Sequence, residues 1–250
     1  MKLGIVGKGG VGKTTLSALL ADAYARRGRR VVAVDTDSNP NLGLSLGLSL
    51  DETDGMPTLP RSVIVGTRGD LTVDDVFDDF GRDTPVGVTL LSALKVEHAA
   101  GGCTCGGHAT VRSLLSESLD ARADVTIVDM EAGLEHLSRS GGTLAHADIL
   151  LVVMEPSRKA VLTASRTKAL AEELGIPAVY GLGNKAEDGD REFFGQLCDE
   201  YGVALAGVVP RDDDVAAAAK QSAAVASDGA VEVRAELDRV IDAISTTVPA

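Results

Sequence analysis

A glycine-rich segment near the start of the chain constrains its fold more than any other feature. Residues 7–15 read Gly-Lys-Gly-Gly-Val-Gly-Lys-Thr-Thr, with a short apolar run at residues 3–6 before them and helically spaced apolar residues after them. These apolar residues predict a buried strand before the segment and a helix behind it. Because the segment fits G-x-x-x-x-G-K-[ST] from Gly7 to Thr14 in this strand–helix setting, it predicts a phosphate loop.

Each residue type in the predicted loop has its own physical reason. Glycines allow the backbone to wrap closely around an anion, and the following helix directs its positive N-terminal end at the same anion. Lys13 is predicted to contact the β- and γ-phosphates of a nucleotide, and the Thr14 hydroxyl to ligate Mg²⁺. A glycine-rich turn without a ligand would leave the lysine and the hydroxyl unexplained. The other predicted nucleotide contacts are Gly7, Gly9, Gly10, Val11, Gly12 and Thr15.

Strand-like and helical patterns alternate along much of the 250-residue chain. This alternation predicts an α/β fold: a doubly wound, mostly parallel sheet with helices on both faces, in a single domain spanning residues 1–250. Hydrophobic residues make up 44% of the chain and aromatic residues only 3%, so the predicted core consists mainly of Ala, Val, Leu and Ile. Less regular patterns predict a short strand at residues 63–65 and helices at 73–80, 109–121 and 231–244.

Composition excludes several classes of partner. The chain has 24 Lys and Arg against 37 Asp and Glu, a net charge of −13, whereas a nucleic-acid-binding protein needs a basic face. No apolar run reaches the length of a membrane span, no charged leader precedes the first strand, and the terminal helix lacks the basic face of a membrane-targeting helix. Three cysteines, two of them nearly adjacent, do not suggest a disulfide framework. We therefore expect a cytoplasmic protein without nucleic-acid or membrane partners.

Two of the predicted strands end in an aspartate. Asp35 ends the strand at residues 30–35, and Asp129 ends the strand at 125–129. The carboxyl ends of parallel strands border the crevice in which α/β sheets bind ligands, and Asp129 is predicted to hold Mg²⁺ there. Asp35 and Asp37 share one face of an extended segment. The alternatives, a helix cap for Asp35 and a turn residue for Asp37, do not account for the pair beside a phosphate loop.

The lysine directly after the first glycine makes the loop more informative. With Lys8, the sequence K-G-G-V-G-K-T-T resembles the deviant phosphate-loop ATPases, the group that contains MinD, ParA and the nitrogenase iron protein. The resemblance implies that Lys8 reaches across a homodimer to the partner's nucleotide, as an arginine finger does. It further implies that Asp37 orients or deprotonates the attacking water and that Asp35 supports the hydration of Mg²⁺. Gly133, in the D-x-x-x-G pattern that begins at Asp129, would meet the γ-phosphate.

Two later segments concern the base of the nucleotide. Asn184 follows a predicted strand at residues 178–183, and in related ATPases an asparagine at this point reads the adenine edge. Pro210 and Asp212 lie in a segment that resembles the second base-contacting loop of those ATPases. A guanine signature is incomplete after Asn184 and Lys185, so ATP is the predicted nucleotide. Asn184 could instead be a plain turn residue.

Two cysteines one residue apart form the second informative stretch. Cys103 and Cys105 lie among glycines, and their spacing allows both sulfurs to face one metal ion. Two thiolates are an incomplete ligand set for such an ion, and a two-fold dimer would supply the other two. An incidental pair of reduced cysteines is the alternative, because Cys-x-Cys alone is a weak pattern. His108 is either a further ligand or the start of the next helix.

Four features together narrow the resemblance. The phosphate loop, the D-x-D-x-N-P-N-L segment from Asp35, the Cys-x-Cys pair and the D-M-E-A-G-L-E-H-L segment from Asp129 resemble the CooC-type ATPases. That family acts in the maturation of nickel carbon monoxide dehydrogenase. The resemblance implies an ATP-hydrolysing, homodimeric metallochaperone that binds Ni²⁺ or Zn²⁺ at an intersubunit site made of Cys103 and Cys105. Its partner would be an apo metalloenzyme of the carbon monoxide dehydrogenase type.

Two other functions remain open within the same class of ATPase. A positioning ATPase of the ParA or MinD type would have a basic DNA-binding face or a basic terminal helix, and the sequence predicts neither. An electron-transfer ATPase similar to the nitrogenase iron protein would hold an iron–sulfur cluster between protomers. That family places a cysteine three residues after the aspartate that corresponds to Asp129, where this chain has Ala132.

Overall fold

The structure, a computed structural model, describes residues 1–95, 105–117, 119–133, 137 and 142–246 of the chain. The strands within these residues form one eight-stranded sheet in the order β3-β4-β2-β5-β1-β6-β7-β8. The short pair β3–β4 is antiparallel, and the other neighbouring strands pair in parallel. The strands are β1 (Lys2–Gly7), β2 (Val31–Asp35), β3 (Arg82–Asp83), β4 (Val88–Ser92), β5 (Val125–Asp129), β6 (Ile149–Met154), β7 (Ala178–Ala186) and β8 (Ala204–Pro210). The helices are α1 (Lys13–Arg26), α2 (Leu42–Ser45), α3 (Leu50–Asp54), α4 (Val73–Phe80), α5 (Cys105–Ser116), α6 (Arg158–Glu173), α7 (Asp190–Tyr201), α8 (Asp213–Gln221) and α9 (Val231–Ser245).

Strands at the centre of the sheet are buried on both faces. In β2, β5 and β6 every residue is buried, which is the pattern of a parallel sheet covered by helices on each side. One core packs α1 and α9 against one face of the sheet, through residues such as Leu16 and Leu237. A second core packs α5, α6 and α7 on the opposite face, through residues such as Val111, Val161 and Phe194. The predicted doubly wound α/β fold is therefore confirmed.

The order of the strands places the predicted phosphate loop at a reversal in the sheet. β1 lies between β5 and β6, and the chain runs outward from this centre first to β2 and β4 and later to β7 and β8. Binding crevices in open α/β sheets form at such a reversal, beyond the carboxyl ends of the strands. Asp35 and Asp129 are register partners at the ends of β2 and β5. Both carboxylates therefore lie at this edge of the sheet, next to the loop.

Two of the predicted amphipathic helices have the expected apolar faces. Helix α4 buries Val76 and packs Val73, Phe77 and Phe80 against the core. Helix α9 buries the predicted apolar set, which consists of Val233, Leu237, Val240, Ile241 and Ile244. None of the helices in the described residues is long and apolar enough to cross a membrane.

The strand predicted at residues 63–65 was wrong. Val65 makes an isolated bridge with Leu71, and no ladder extends from it within the described residues. The segment turns back on itself instead, because the N–H groups of Asp70 and Leu71 both donate to the Ile64 carbonyl. A short apolar run therefore formed a tight turn that packs Val65 into the core.

The helix predicted at residues 109–121 begins and ends earlier. Helix α5 starts at Cys105 and stops at Ser116. Its first turn contains Gly106 and Gly107, which are poor helix formers and which favoured a loop in the sequence. A Cβ on Gly107 would lie 2.1 Å from a side-chain carbon of Leu94. Close packing of the helix on the end of β4 therefore requires glycine where helix propensity argues against it.

Candidate functional site

The segment between β1 and α1 follows a path that glycine alone adopts without strain. Gly7, Gly10 and Gly12 have φ angles of +145°, +77° and +99°, in the region that residues with a Cβ rarely occupy. A Cβ on Gly7 would also lie 2.6 Å from the Val153 carbonyl oxygen. Gly12 directly precedes the first residue of α1. The loop thus has the wrapped backbone and the helix N-terminus that a phosphate site requires.

Lys13 is the buried cation of the site. Its Nζ donates to the Lys8 carbonyl at 3.1 Å, and 8% of the residue is exposed. Burial lowers the pKa of the Lys13 ammonium, and the charges of Asp129, Asp37 and Glu131 oppose that effect. The ammonium therefore lies within electrostatic reach of three carboxylates, at the start of the helix where phosphates would bind.

Two buried carboxylates lie at the ends of neighbouring strands, and the charge of one of them, Asp129, acts on Lys13. Asp129 accepts a hydrogen bond from the Ser17 hydroxyl at 3.0 Å, yet burial raises the pKa of the Asp129 carboxyl above its usual range. The pKa of Asp35 is raised by burial and by the charge of Asp129. The charge of Asp129 thus opposes the ionisation of Asp35, and a cation bound between these carboxylates and the loop would stabilise both of them as anions.

The donor set at this edge fits Mg²⁺. The Thr14 and Ser17 side chains both lower the pKa of the Asp129 carboxyl against the effect of burial, so hydroxyl and carboxylate oxygens already lie close together. Mg²⁺ prefers such oxygen ligands, and in phosphate sites it keeps several waters and uses one or two carboxylates with the substrate phosphates. Within the part of the chain that the structure describes, no cluster of three His, Cys, Asp or Glu could hold a metal by itself. The partial shell here agrees with an ion that phosphates complete.

The loop after β2 is organised by the same carboxylates. Asp35 accepts hydrogen bonds from the N–H groups of Asp37, Asn41 and Leu42 at 2.9–3.0 Å. This is the capping arrangement that the sequence left as the alternative for Asp35. Its predicted role in Mg²⁺ hydration stays a prediction. Asp37 accepts from the Asn39 N–H at 2.9 Å and remains partly exposed at the cavity.

Hydrogen bonds join the loops after β2 and β5. The Thr36 hydroxyl donates to the Asp129 carbonyl at 2.8 Å, and the Ser38 hydroxyl donates to the Glu131 carboxylate at 2.9 Å. Gly133 follows with a φ of +131°, a conformation typical of glycine. A change in one loop would therefore be transmitted to the other.

A cavity of about 600 Å³ lies over these groups. Leu19, Val215 and Val233 give it an apolar part that suits a nucleotide base. A larger cavity of about 970 Å³ borders it and shares Pro210 and Asp212 but none of the phosphate loop. We assign the ligand to the smaller cavity because that one contains the loop. The sequence-predicted residues that line it are Gly9, Gly10, Gly12, Lys13, Thr14, Thr15, Asp37, Asn184, Pro210 and Asp212.

Two predicted contacts are engaged within the chain itself. The Asn184 amide Nδ2 donates to the Val11 carbonyl at 2.8 Å, so this side chain supports the phosphate loop, and its adenine contact stays a prediction. Lys8 Nζ donates to the Lys159 carbonyl at the start of α6, at 3.3 Å. That contact lies on the surface, where a second chain could replace it.

The cysteine pair is described in part. Cys103 lies outside the described residues, whereas Cys105 is the first residue of α5. Cys105 is disulfide-bonded in this structure, so its thiolate is available to a metal only after reduction. His108 lies in the first turn of the same helix and is buried, so the interpretation of His108 as a helix residue holds.

Two functional contacts were not predicted from the sequence. Ser17 is fully buried in α1 and orients Asp129, and Lys185 donates to the Gly10 carbonyl. The signal for Ser17 was available, because a residue three positions after Thr14 lies on the same face of a helix. Lys185 carried no comparable signal, since its contact depends on how β7 ends.

Comparison with known proteins agrees with this geometry. Residues 5–225 match the family described as the CobQ/CobB/MinD/ParA nucleotide binding domain. The chain belongs to this family. It is an ATPase, so the predicted enzyme class is confirmed. The narrower deviant form of the phosphate loop stays a prediction.

Relatives within the family include a metalloenzyme accessory protein. The chain is 36% identical over 234 residues to the carbon monoxide dehydrogenase accessory protein CooC of Rhodospirillum rubrum, covering 87% of this chain and 86% of that protein. It is also 36% identical over 229 residues to an uncharacterised ATP-binding protein of Methanocaldococcus jannaschii, covering 86% and 87%. The structure of the cell division ATPase MinD from Pyrococcus furiosus superposes with a TM-score of 0.70 over 99% of both chains, at 22% identity. This last likeness shows the fold.

Proposed function

We propose that the chain is an ATP-hydrolysing, nucleotide-dependent homodimeric metallochaperone that delivers nickel to a metalloenzyme of the carbon monoxide dehydrogenase type. The observation that supports this client most directly is the 36% identity to the CooC accessory protein across 87% of the chain. The phosphate loop, the buried lysine and the carboxylates supply the ATPase half of the proposal.

The hydrolytic step follows from the positions of the charged groups. Lys13 and the loop N–H groups bind the β- and γ-phosphates, while Thr14 and Asp129 hold Mg²⁺, which would neutralise phosphate charge. Asp37, at the cavity and near Lys13, orients a water molecule for attack on the γ-phosphorus. The new P–O bond forms as the bond to the bridging oxygen breaks, and the proton of the water passes to Asp37 or to the phosphate.

Dimerisation would complete the charge balance at the γ-phosphate. In the single chain, the Lys8 ammonium donates a hydrogen bond to the Lys159 carbonyl of the same chain. This contact forms without a nucleotide. At 3.3 Å this hydrogen bond is near the upper limit of length, and it lies on the surface, so it could be exchanged for a phosphate of a facing protomer. Lys8 would then act in trans, as an arginine finger does.

The metal is cargo in this proposal. Cys103 and Cys105 of two facing protomers would supply four thiolates to one ion. Sulfur ligands suit both Ni²⁺ and Zn²⁺, so only the similarity to the CooC accessory protein favours Ni²⁺. Binding requires reduced cysteines, since Cys105 is otherwise disulfide-bonded. Hydrolysis would reopen the dimer and release the ion to the client.

Metal content of the reduced protein tests this proposal. Anaerobic, reduced protein is loaded with Ni²⁺ or Zn²⁺, with and without Mg-ATP, and is compared with a Cys103→Ser/Cys105→Ser variant. Cys198→Ala serves as the matched control, because this third cysteine is buried in the core. We expect about one ion per two chains in the wild type and the control, and none in the double variant. Absence of stoichiometric metal under every condition would leave an ATP-driven switch of the MinD or ParA type.

A further inference from the structure

Two consecutive side chains near the end of β7 reach the phosphate loop. Asn184 Nδ2 donates to the Val11 carbonyl at 2.8 Å, and Lys185 Nζ donates to the Gly10 carbonyl at 2.6 Å. Both residues also line the 600 Å³ cavity. Two adjacent carbonyl groups of the loop are thus held by two adjacent residues of one strand.

A regular strand could not make this pair of contacts. Successive side chains of a β-strand point to opposite faces, so a straight β7 would aim only one of the two at the loop. The β7–β8 pairing has an irregularity between Gly183 and Ala186, and Lys185 has a φ of +55°. That left-handed conformation is unfavourable for a lysine. In this conformation the Lys185 ammonium reaches the Gly10 carbonyl.

The two hydrogen bonds from Asn184 and Lys185 determine which way the N–H groups of the phosphate loop face. A trans peptide is planar, so the carbonyl of one residue and the N–H of the next point in opposite directions. With the Gly10 and Val11 carbonyls turned toward β7, the N–H groups of Val11 and Gly12 are turned away from it. Backbone N–H groups fixed in this way make concave anion sites, and preorganised donors bind without a further ordering cost.

We propose that Lys185 is a positioning residue of the ATP site, which fixes the orientation of the phosphate loop before the nucleotide binds. It acts through the Gly10 carbonyl and leaves direct phosphate contact to Lys13 and the loop N–H groups. The proposal rests on the nucleotide binding that the family shares, and it is independent of the metal cargo and of the client.

Three substitutions at position 185 separate the hydrogen bond to Gly10 from the effects of charge and of backbone conformation. Lys185→Met removes the donor, Lys185→Arg keeps a cationic donor, and Lys185→Gly removes the donor while relieving the left-handed conformation. We expect the Met and Gly variants to lose about fivefold in affinity for Mg-ATP and for ADP, and the Arg variant to stay within about twofold of wild type. Adenosine, which has no phosphates, should bind all variants equally. Lys220→Met, at an exposed lysine of α8 that does not line the cavity, is the matched control.

Amide hydrogen exchange distinguishes a positioning role from a general effect of Lys185 on stability. In nucleotide-free protein, the amides of residues 8–15 should exchange faster in the Met and Gly variants, while the rest of the sheet and the melting temperature stay unchanged. Wild-type ATP affinity in the Lys185→Met variant would overturn the proposal. Wild-type ATP affinity in the Lys185→Gly variant would also overturn it, because the loss in the Met variant would then come from backbone strain. An equal loss for adenosine and ATP would also overturn it, because it would place Lys185 at the base. A metal-binding defect has no influence on any of these results.

Discussion

Single residues at the nucleotide site serve two purposes, because the carboxylates proposed to bind Mg²⁺ also organise the loops. Asp35 accepts three backbone N–H groups, and Asp129 accepts the Ser17 hydroxyl while its carbonyl accepts from Thr36. Buried carboxylates with so many donors are oriented before any ligand binds. A substitution of Asp35 or Asp129 would therefore disturb the loops and the ATPase activity together.

Asp37 allows the chemistry to be tested with less structural disturbance. Its side chain is partly exposed and accepts a hydrogen bond from the Asn39 N–H. Asp37→Asn keeps the size of the side chain and an acceptor oxygen but cannot take a proton from water. We expect kcat for ATP hydrolysis to fall about 100-fold, with the Kd for Mg-ATP within a few-fold of wild type.

Steady-state hydrolysis and equilibrium ATP binding measure the two effects separately. Asp79→Asn, at an exposed aspartate of α4, is the matched control and should leave both values unchanged. Parallel loss of kcat and of ATP affinity in the Asp37 variant would instead indicate a binding role for Asp37.

The residues of the site were predictable where a motif fixes them and not where tertiary contacts do. Lys13, Thr14 and Asp129 follow from a loop pattern and from a strand that ends in a carboxylate. The capping contacts of Asp35 depend on where the chain goes after Asn41, which no local pattern specifies. Lys185 needs an irregular strand end, which also has no signature in the sequence.

At the scale of elements, the last helix is joined to the strand that leads to the predicted base-contacting loop. Glu236 of α9 is buried and accepts from the Val208 N–H of β8 at 2.9 Å. Arg191 of α7 donates to the same oxygen at 2.9 Å, and Arg239 pairs with the other oxygen. β8 then ends at Pro210, which borders the cavity. One carboxylate therefore ties three elements beside the site.

Removal of the Glu236 carboxylate should destabilise the fold mainly because the Val208 N–H loses its acceptor. Loss of the two arginine ion pairs should matter less. The arginine side chains are 65% and 70% exposed, so water replaces much of each ion pair. Val208 N–H is buried and would lose its acceptor, which costs about 2 kcal/mol. We expect Glu236→Ala to lower the free energy of unfolding by about this amount, and Glu236→Gln, which keeps an acceptor oxygen, by less. Urea denaturation measures the change, with the exposed Glu232→Ala as control.

The same contacts give this effect a pH dependence. Burial alone would raise the pKa of Glu236, but the Val208 N–H and Arg191 outweigh it and hold the pKa below the ordinary value of 4.5. The unfolded chain therefore takes up the proton at higher pH than the folded chain, so the ionised carboxylate stabilises the fold above pH 4.5. The stability difference between wild type and Glu236→Gln should shrink as the pH falls below 4.5. A constant difference down to pH 3 would contradict this assignment.

Elements were predictable in proportion to how strongly they are buried. β2, β5 and β6 are apolar runs buried throughout, and their pattern survives in any parallel sheet. Helix α5 was placed too late because its first turn carries glycines that packing against Leu94 requires. The apolar run at residues 63–65 formed a turn, since a few apolar residues do not distinguish a strand from a buried turn.

At the scale of the whole molecule, we propose that ATP hydrolysis is a property of two chains. In one chain the phosphate loop, Lys13 and the carboxylates are present, whereas Lys8 contacts its own α6. A net charge of −13 disfavours close approach of two copies, so we expect bound ligands to favour association. Two nucleotides with Lys8 from each facing chain, and one metal shared by four thiolates, would do so.

The most direct test of this account is a complementation experiment with two inactive variants. Lys8→Ala lacks the residue proposed to act in trans, and Asp37→Asn lacks the residue proposed to act in cis. In a mixed dimer, the site of the Lys8→Ala chain would contain its own Asp37 and receive Lys8 from the Asp37→Asn chain. An equal mixture should therefore recover about a quarter of the wild-type ATPase rate, because half of the dimers are mixed and each has one complete site.

Each variant measured alone at the same total concentration provides the baseline, and co-purification of the untagged variant with an affinity-tagged copy of the other variant shows that the chains exchange. We predict that the mixed sample hydrolyses ATP well above the sum of its two components. A rate equal to that sum, in a sample whose chains exchange, would place Lys8 and Asp37 in the same active site and contradict a two-chain ATPase.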